Sequence, residues 1–120
     1  MVQLKQVYEK PSRKDGFRIL VDRLWPRGLT KERAAVKLWL KDVAPSTELR
    51  KWFGHDAAKW KQFQVRYRKE LGEKKSTLDL LKQKAKDHAV TLVYGARNEE
   101  HNEAVVLKRI LEGHRSKDKV

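Results

Sequence analysis

Phe17-Arg18-Ile19-Leu20-Val21-Asp22 runs directly into Arg23-Leu24-Trp25-Pro26-Arg27-Gly28, and the reading of this stretch organises the rest of the chain. Phe17 to Val21 is almost continuously apolar over the length of a strand. That is the pattern of a central strand covered on both faces. The strand delivers a carboxylate, two guanidiniums and an indole onto a short loop closed by Pro26 and Gly28. An α/β sheet exposes a site at its edge in this way.

On the N-terminal side, Val2, Leu4 and Val7 alternate imperfectly and predict a first strand over 2–8, followed by a Pro/Ser/Asp/Gly loop from Pro11 to Gly16. On the C-terminal side, Thr30 is placed to cap a short helical turn through Ala35. Val36 to Lys41 alternates with period two, which suggests a short third strand, with helix as the competing reading. Ser46 or Thr47 then caps a helix reaching Phe53, where Gly54 stops it. Asp56 caps a second helix, 57–71. Its apolar residues Trp60, Phe63, Tyr67 and Leu71 fall within about 80° of a helical wheel, leaving the other arc to Lys59, Lys61, Arg66, Arg68 and Lys69. Ser76 or Thr77 caps a further helix with Leu78, Leu81 and Ala85 along one face. Ala89 to Tyr94 is strongly β-prone and makes a fourth strand. Gly95 turns the chain, Asn98 caps a last helix over 99–112 with Ala104, Leu107, Ile110 and Leu111 buried, and Gly113 closes it.

This alternation of β and α segments predicts a small three-layer α/β domain over 1–113, with a largely parallel sheet of about four strands flanked by helices. Residues 114–120 read as a flexible basic tail. The strands at 17–22 and 90–94 are expected to lie side by side at the centre of the sheet, so that the loops following them open on one edge.

Composition narrows the function classes. The chain has 120 residues and no cysteine, which removes disulfides and thiolate metal sites from consideration. No apolar run approaches the roughly 20 residues of a membrane span, and the reading is a soluble, cytoplasmic protein. Lys and Arg number 29 against 16 acids, a formal charge of +13, with a pI near 10.1. Such a surface attracts polyanions and steers anionic ligands. Much of the excess lies between Ala57 and His88, on predicted helices, where it is either a solvated face or a nucleic-acid surface.

The loop after the second strand offers Asp22, Arg23, Trp25 and Arg27. The loop after the fourth offers Arg97, His101 and Asn102, and the turn between two helices offers Trp52 and His55. Arginine forks match phosphate and carboxylate geometry, while indole faces stack on a base or a guanidinium. His101 and His55 are the proton-transfer candidates, since imidazole titrates near neutral pH. A competing structural reading has Asp22 and Arg23 stapling their loop to the sheet, with Trp25 and Trp52 in the core. Glu99 and Glu100, in the predicted first turn of the last helix, complement its dipole and oppose a phosphate docking there. No metal-binding spacing and no nucleotide-binding or nucleophile motif occurs, so no cofactor is implied.

Four separated segments together resemble the YeaO-like proteins, the family called domain of unknown function 488. They are Val21-Asp22-Arg23-Leu24-Trp25-Pro26-Arg27-Gly28, Leu38-Trp39-Leu40-Lys41 with Ala44-Pro45-Ser46, Leu49-Arg50-Lys51-Trp52-Phe53-Gly54-His55, and Glu100-His101-Asn102-Glu103-Ala104. The resemblance runs from about Phe17 to Leu111. It implies a stand-alone bacterial or archaeal domain with no established reaction. Some relatives carry a Cys-His-Arg triplet where the last helix begins, and this chain has His101-Asn102 there, so thiol chemistry is not carried over. The resemblance also implies that Asp22, Arg23, Trp25, Pro26, Arg27, Trp52, His55, Arg97, His101 and Asn102 form one candidate site.

The expected function is therefore an anion pocket lined by Arg, His and Trp that binds a nucleotide or small phosphorylated ligand. Arg23, Arg27 and Arg97 would hold the anion and Asp22 would orient an arginine. The alternative is a nucleic-acid-binding module built on Lys59, Lys61, Arg66, Arg68 and Lys69. The sequence leaves oligomeric state and turnover open.

Overall fold

Four strands form in the computed structural model, which describes residues 2–113; the predicted tail lies outside the described residues. The strands are β1 (Val2–Gln6), β2 (Phe17–Leu20), β3 (Leu38–Trp39) and β4 (Val90–Tyr94). They form one sheet in the order β1-β4-β2-β3, and every pairing is parallel. Ile19 lies opposite Leu92 on one side and Leu38 on the other. The two strongest strands are thus central neighbours, as their apolar runs predict. All five residues of β4 are buried, which a strand flanked on both edges and covered on both faces requires.

The two faces of the sheet are covered unequally. Ile19, Val21, Leu92 and Tyr94 contribute to a large core closed by α2 (Thr47–Phe53), α3 (Trp60–Leu71), α4 (Lys75–Asp87) and α5 (Glu103–Leu111). Leu20 and Val93, one residue out of phase, join a smaller cluster with Val7, with Ala34 of α1 (Lys31–Ala34), and with the partly buried Trp25, Leu29, Val36 and Trp39. Arg18 shares the phase of Leu20, so a guanidinium is buried under this thinner cover. Its Nη1 donates to Asp15 at 2.7 Å, and its Nε and Nη2 donate to the Ala34 carbonyl at 3.0 and 2.7 Å. Lys5 adds a second cation to Asp15 at 3.1 Å.

Local chemistry sets most boundaries. Thr30 caps α1 through Arg33 N–H, Ser46 caps α2 through Leu49 N–H, and Gly54 ends α2 at φ 53° in the left-handed region. Asp56 accepts from Ala58 N–H and opens a 3-10 turn, Ala57–Lys59, that leads into α3. The helix predicted from residue 57 is therefore regular only from Trp60. The Tyr67 hydroxyl, fully buried, donates to the Val43 carbonyl and ties α3 to the 3-10 turn Lys41–Val43.

Four local expectations are corrected. The third strand is confined to two edge residues, because the chain turns at Lys41 to reach α2. Helix α4 starts at Lys75 with Lys74 at the cap position and no side-chain cap, so Ser76 and Thr77, read as its cap, lie inside its first turn. Gly72 stays right-handed at φ −61°, and three residues, 72–74, connect α3 to α4. The last helix starts at Glu103, not Glu99, since Asn98 spends its side-chain oxygen closing a turn onto Glu100 and His101 N–H. Asn102 takes the cap, accepting from Val105 N–H at 3.2 Å. Glu99 and Glu100 accordingly belong to the loop, and Glu103 is the acid of the first turn. Among the described residues no helix is long and apolar enough to cross a membrane.

Candidate functional site

The neighbouring strands β2 and β4 end on the same edge, and a cleft of about 250 Å³ opens there. The loop after β2 contributes Asp22, Arg23 and Leu24. The segment entering α2 contributes Ala44 and Pro45, α2 contributes Arg50 and Phe53, and the turn after it His55. Phe63 comes from α3, and the segment after β4 brings Gly95, Ala96, His101, Asn102 and Glu103. This is the crevice beyond the carboxyl ends of parallel strands where α/β folds hold ligands.

Each polar group is held in place by the fold. Asp22 Oδ2 accepts from Gly95 N–H at 2.8 Å, so one carboxylate bridges the two loops. A Cβ at position 95 would come within 3.0 Å of that oxygen, which explains the glycine. Arg23 Nη2 donates to the Ala44 and Pro45 carbonyls at 3.3 Å, and its Nε reaches Pro45 at 3.4 Å. These long bonds hold the guanidinium at the cleft wall. Arg50 is exposed at the rim. His101 lies against Trp60, with ring centroids 4.9 Å apart, and Trp60, Phe63 and Phe53 continue the aromatic wall.

The His101 tautomer follows from its neighbour. Asn98 Oδ1 is committed to two backbone N–H groups at 2.8 and 2.9 Å, so the Asn98 amide nitrogen faces His101 Nδ1 at 3.3 Å. Nδ1 is then the acceptor and Nε2 carries the proton. Asn102 is engaged as a cap, donating to the Asn98 carbonyl at 2.8 Å while accepting from Val105. His55 is exposed and has a positive φ of 59°, immediately after Gly54. Glu103 has its carboxyl pushed well above the usual carboxylate range, first by burial and then by the Asp22 carboxylate beside it.

Of the residues singled out from sequence, the structure brings Asp22, Arg23, His55, His101 and Asn102 into this cleft. The others lie elsewhere. Trp25 folds onto the thinly covered face, donating to the Leu29 carbonyl at 2.7 Å and packing edge-on against Trp39. Arg27 and Arg97 are exposed and do not line the cleft. Trp52 is clamped by Arg66, 4.0 Å above its ring, and by Lys59 at 5.2 Å. Arg50, Glu103, Phe53 and Phe63 line the cleft without having been singled out. Arg50 and Phe53 lie three apart on one short helix, so they share a face, and that spacing was the available signal.

The family model described as the inactive DUF488-N3 subclade matches residues 1–119. The chain belongs to this family. The uncharacterized protein YeaO of Escherichia coli strain K12 is 42% identical over 106 residues, covering 88% of this chain and 92% of its own length. The uncharacterized protein Rv3073c of Mycobacterium tuberculosis H37Rv and Mb3100c of Mycobacterium bovis are each 39% identical over 112 residues, 93% of this chain and 94% of theirs. The resemblance drawn from four sequence segments thus holds over nearly the whole chain. No solved structure matches significantly.

Proposed function

We propose that this cytoplasmic family member binds a small phosphorylated ligand, or the phosphate-bearing end of a nucleotide, in the cleft between β2 and β4. The observation that carries the reading is the convergence of Arg23, Arg50 and His101 on one cleft walled by aromatic rings. The guanidiniums offer charge-assisted donors to an anion, His101 offers its Nε2–H, and Phe53 and Phe63 supply an apolar side. At about 250 Å³ the space suits a sugar phosphate better than a whole nucleotide. The description of the matching family as inactive supports binding without turnover.

Calorimetric titration with ribose 5-phosphate, AMP and inorganic phosphate at about pH 5, where each is mainly a monoanion, tests this. Arg50→Ala removes a rim cation whose side chain makes no hydrogen bond among the described residues, and affinity is expected to fall about 10- to 100-fold, the worth of one charged hydrogen bond. Arg23→Ala is expected to fall as far, with an added loss of stability from the freed Ala44 and Pro45 carbonyls. Unchanged affinity in Arg50→Ala refutes the reading.

The second reading, nucleic-acid binding by the basic helices, is favoured by the exposure of Lys61 and Lys69 on α3. It is weakened because Lys59 and Arg66 are already engaged with Trp52. Binding of a DNA duplex would lose affinity steeply with salt, each phosphate contact adding about −0.9 to the log–log slope, and would respond to Lys61→Ala and Lys69→Ala. Cleft binding is expected to respond to neither.

A further inference from the structure

Asp22 is anchored from two sides. Its Oδ2 accepts from Gly95 N–H at 2.8 Å, and its backbone carbonyl accepts from the Trp39 indole at 2.7 Å. Its Oδ1 is cut off from solvent and, among the described residues, receives no hydrogen bond from an N–H or hydroxyl group. A buried carboxylate oxygen left without a donor is costly, and such a group calls for a physical reason. The side chain within hydrogen-bonding reach is Glu103, the first residue of α5. Two carboxyls in contact satisfy each other only when one keeps a proton and donates it.

We infer that Asp22 and Glu103 share one proton in the wall of the cleft and thereby make it a receptor for singly charged anions, an inference that rests on the anion reading above. Burial and the neighbouring carboxylate place the proton on Glu103. Facing the pair are Arg50 from α2, Arg23 from the loop after β2, Tyr67 from α3 and Tyr94 from β4, with His55 and His101 in the cleft walls; behind the wall Glu70, bound to Ser46, and Lys74, on the Ala44 carbonyl, offset each other. Burial raises both tyrosines, so they stay neutral. In the cleft lining itself, two guanidiniums stand against one shared-proton pair bearing a single negative charge. One positive charge is left over. A phosphodiester, a carboxylate or a protonated phosphate monoester matches it, whereas a dianion brings a second negative charge up against the Asp22 carboxylate.

Two probes separate the cases. Dimethyl phosphate is always a monoanion, and methyl phosphate becomes a dianion above its second pKa near about 6. Binding is followed through the Gly95 amide and His101 ring signals in NMR titrations. The affinity for dimethyl phosphate is expected to stay flat through neutral pH. That for methyl phosphate is expected to fall about tenfold per unit above about pH 6, as its monoanion disappears. The double variant Asp22→Asn/Glu103→Gln removes the negative charge of the pair outright and is expected to turn the preference toward the dianion. Glu103→Gln keeps a neutral donor beside Asp22 and is expected to retain the wild-type preference, which also guards against a variant that merely fails to fold. Tighter binding of the dianion by the wild-type protein overturns the inference, as does a Glu103 carboxyl carbon signal that titrates near the ordinary 4.5. If neither ester binds while Glu103 stays protonated, the anion reading itself fails and the charge preference falls with it.

Discussion

Asp15→Ala is expected to lower the stability of the fold by about 3–5 kcal/mol, because it strands a guanidinium in the interior. Arg18 is only 3% exposed and Asp15 4%. The Ala34 carbonyl takes two of the Arg18 donors, but Asp15 supplies its countercharge. Lys5 is better exposed and can turn to water once Asp15 is gone. Urea denaturation with an unchanged slope reads the loss directly. Pairing Asp15→Ala with Arg18→Met is expected to recover most of it, since the cost lies in the uncompensated charge and less in the absence of the pair. The same carboxylate predicts a pH dependence. Burial raises the Asp15 carboxyl, but the Ser12 N–H, Lys5 and Arg18 outweigh it and hold it below the ordinary 3.8. A depressed carboxyl contributes its stability fully above that unfolded value, and the contribution is lost as pH falls through the lower folded one. Wild-type and Asp15→Ala stability curves are therefore expected to converge in acid. Curves that stay parallel below pH 3.8 would contradict the assignment.

Gly16→Ala is expected to cost on the order of 3 kcal/mol, against about 1 for Gly28→Ala. Both glycines have positive φ, 64° and 80°. Around Gly28 there is open space, so a methyl meets only backbone strain. At Gly16 a Cβ would lie 2.4 Å from the Ala89 carbonyl oxygen, which accepts from Phe17 N–H at 2.8 Å. Backbone cannot swing aside as a side chain can. The methyl must push apart the point where β2 first meets β4, and the Asp15–Arg18 pair sits next to it. Thermal unfolding of the two variants side by side measures the contrast, and equal losses would show that β2 and β4 yield at their start without penalty.

The elements were legible wherever one local cause sufficed. Thr30, Ser46 and Asp56 accept the N–H groups that their positions ahead of apolar runs require, and Gly54 adopts the left-handed conformation. The start of α5 was misread because Asn98 and Asn102 are both competent caps four residues apart. The choice between them depended on what Asn98 could reach, namely His101 Nδ1 and the Glu100 and His101 amides. Lys74 opens α4 with its ammonium on the Ala44 carbonyl, a long-range contact that no nearby residue announces.

The candidate site was legible in part for a related reason. Asp22 and Arg23 immediately follow a strand, so their placement at the sheet edge comes from the strand itself. The period-two rule lapses a few residues later, and the chain carries Trp25 to the opposite face, where Trp39 and Leu29 receive it. Arg50 and Glu103 belong to helices whose packing angles bring them to the same opening, which spacing along the chain does not encode.

Alternation of apolar runs, caps and breakers already required a parallel α/β sheet with 17–22 and 90–94 at its heart, because burial on both faces leaves a continuous apolar signature in the chain itself. Which charged groups meet was decided in three dimensions. The Asp22–Glu103 contact joins positions far apart in sequence and the Arg18–Asp15 pair is buried beneath a thin cover, and the strength of each depends on exclusion from water, a property of the assembled fold.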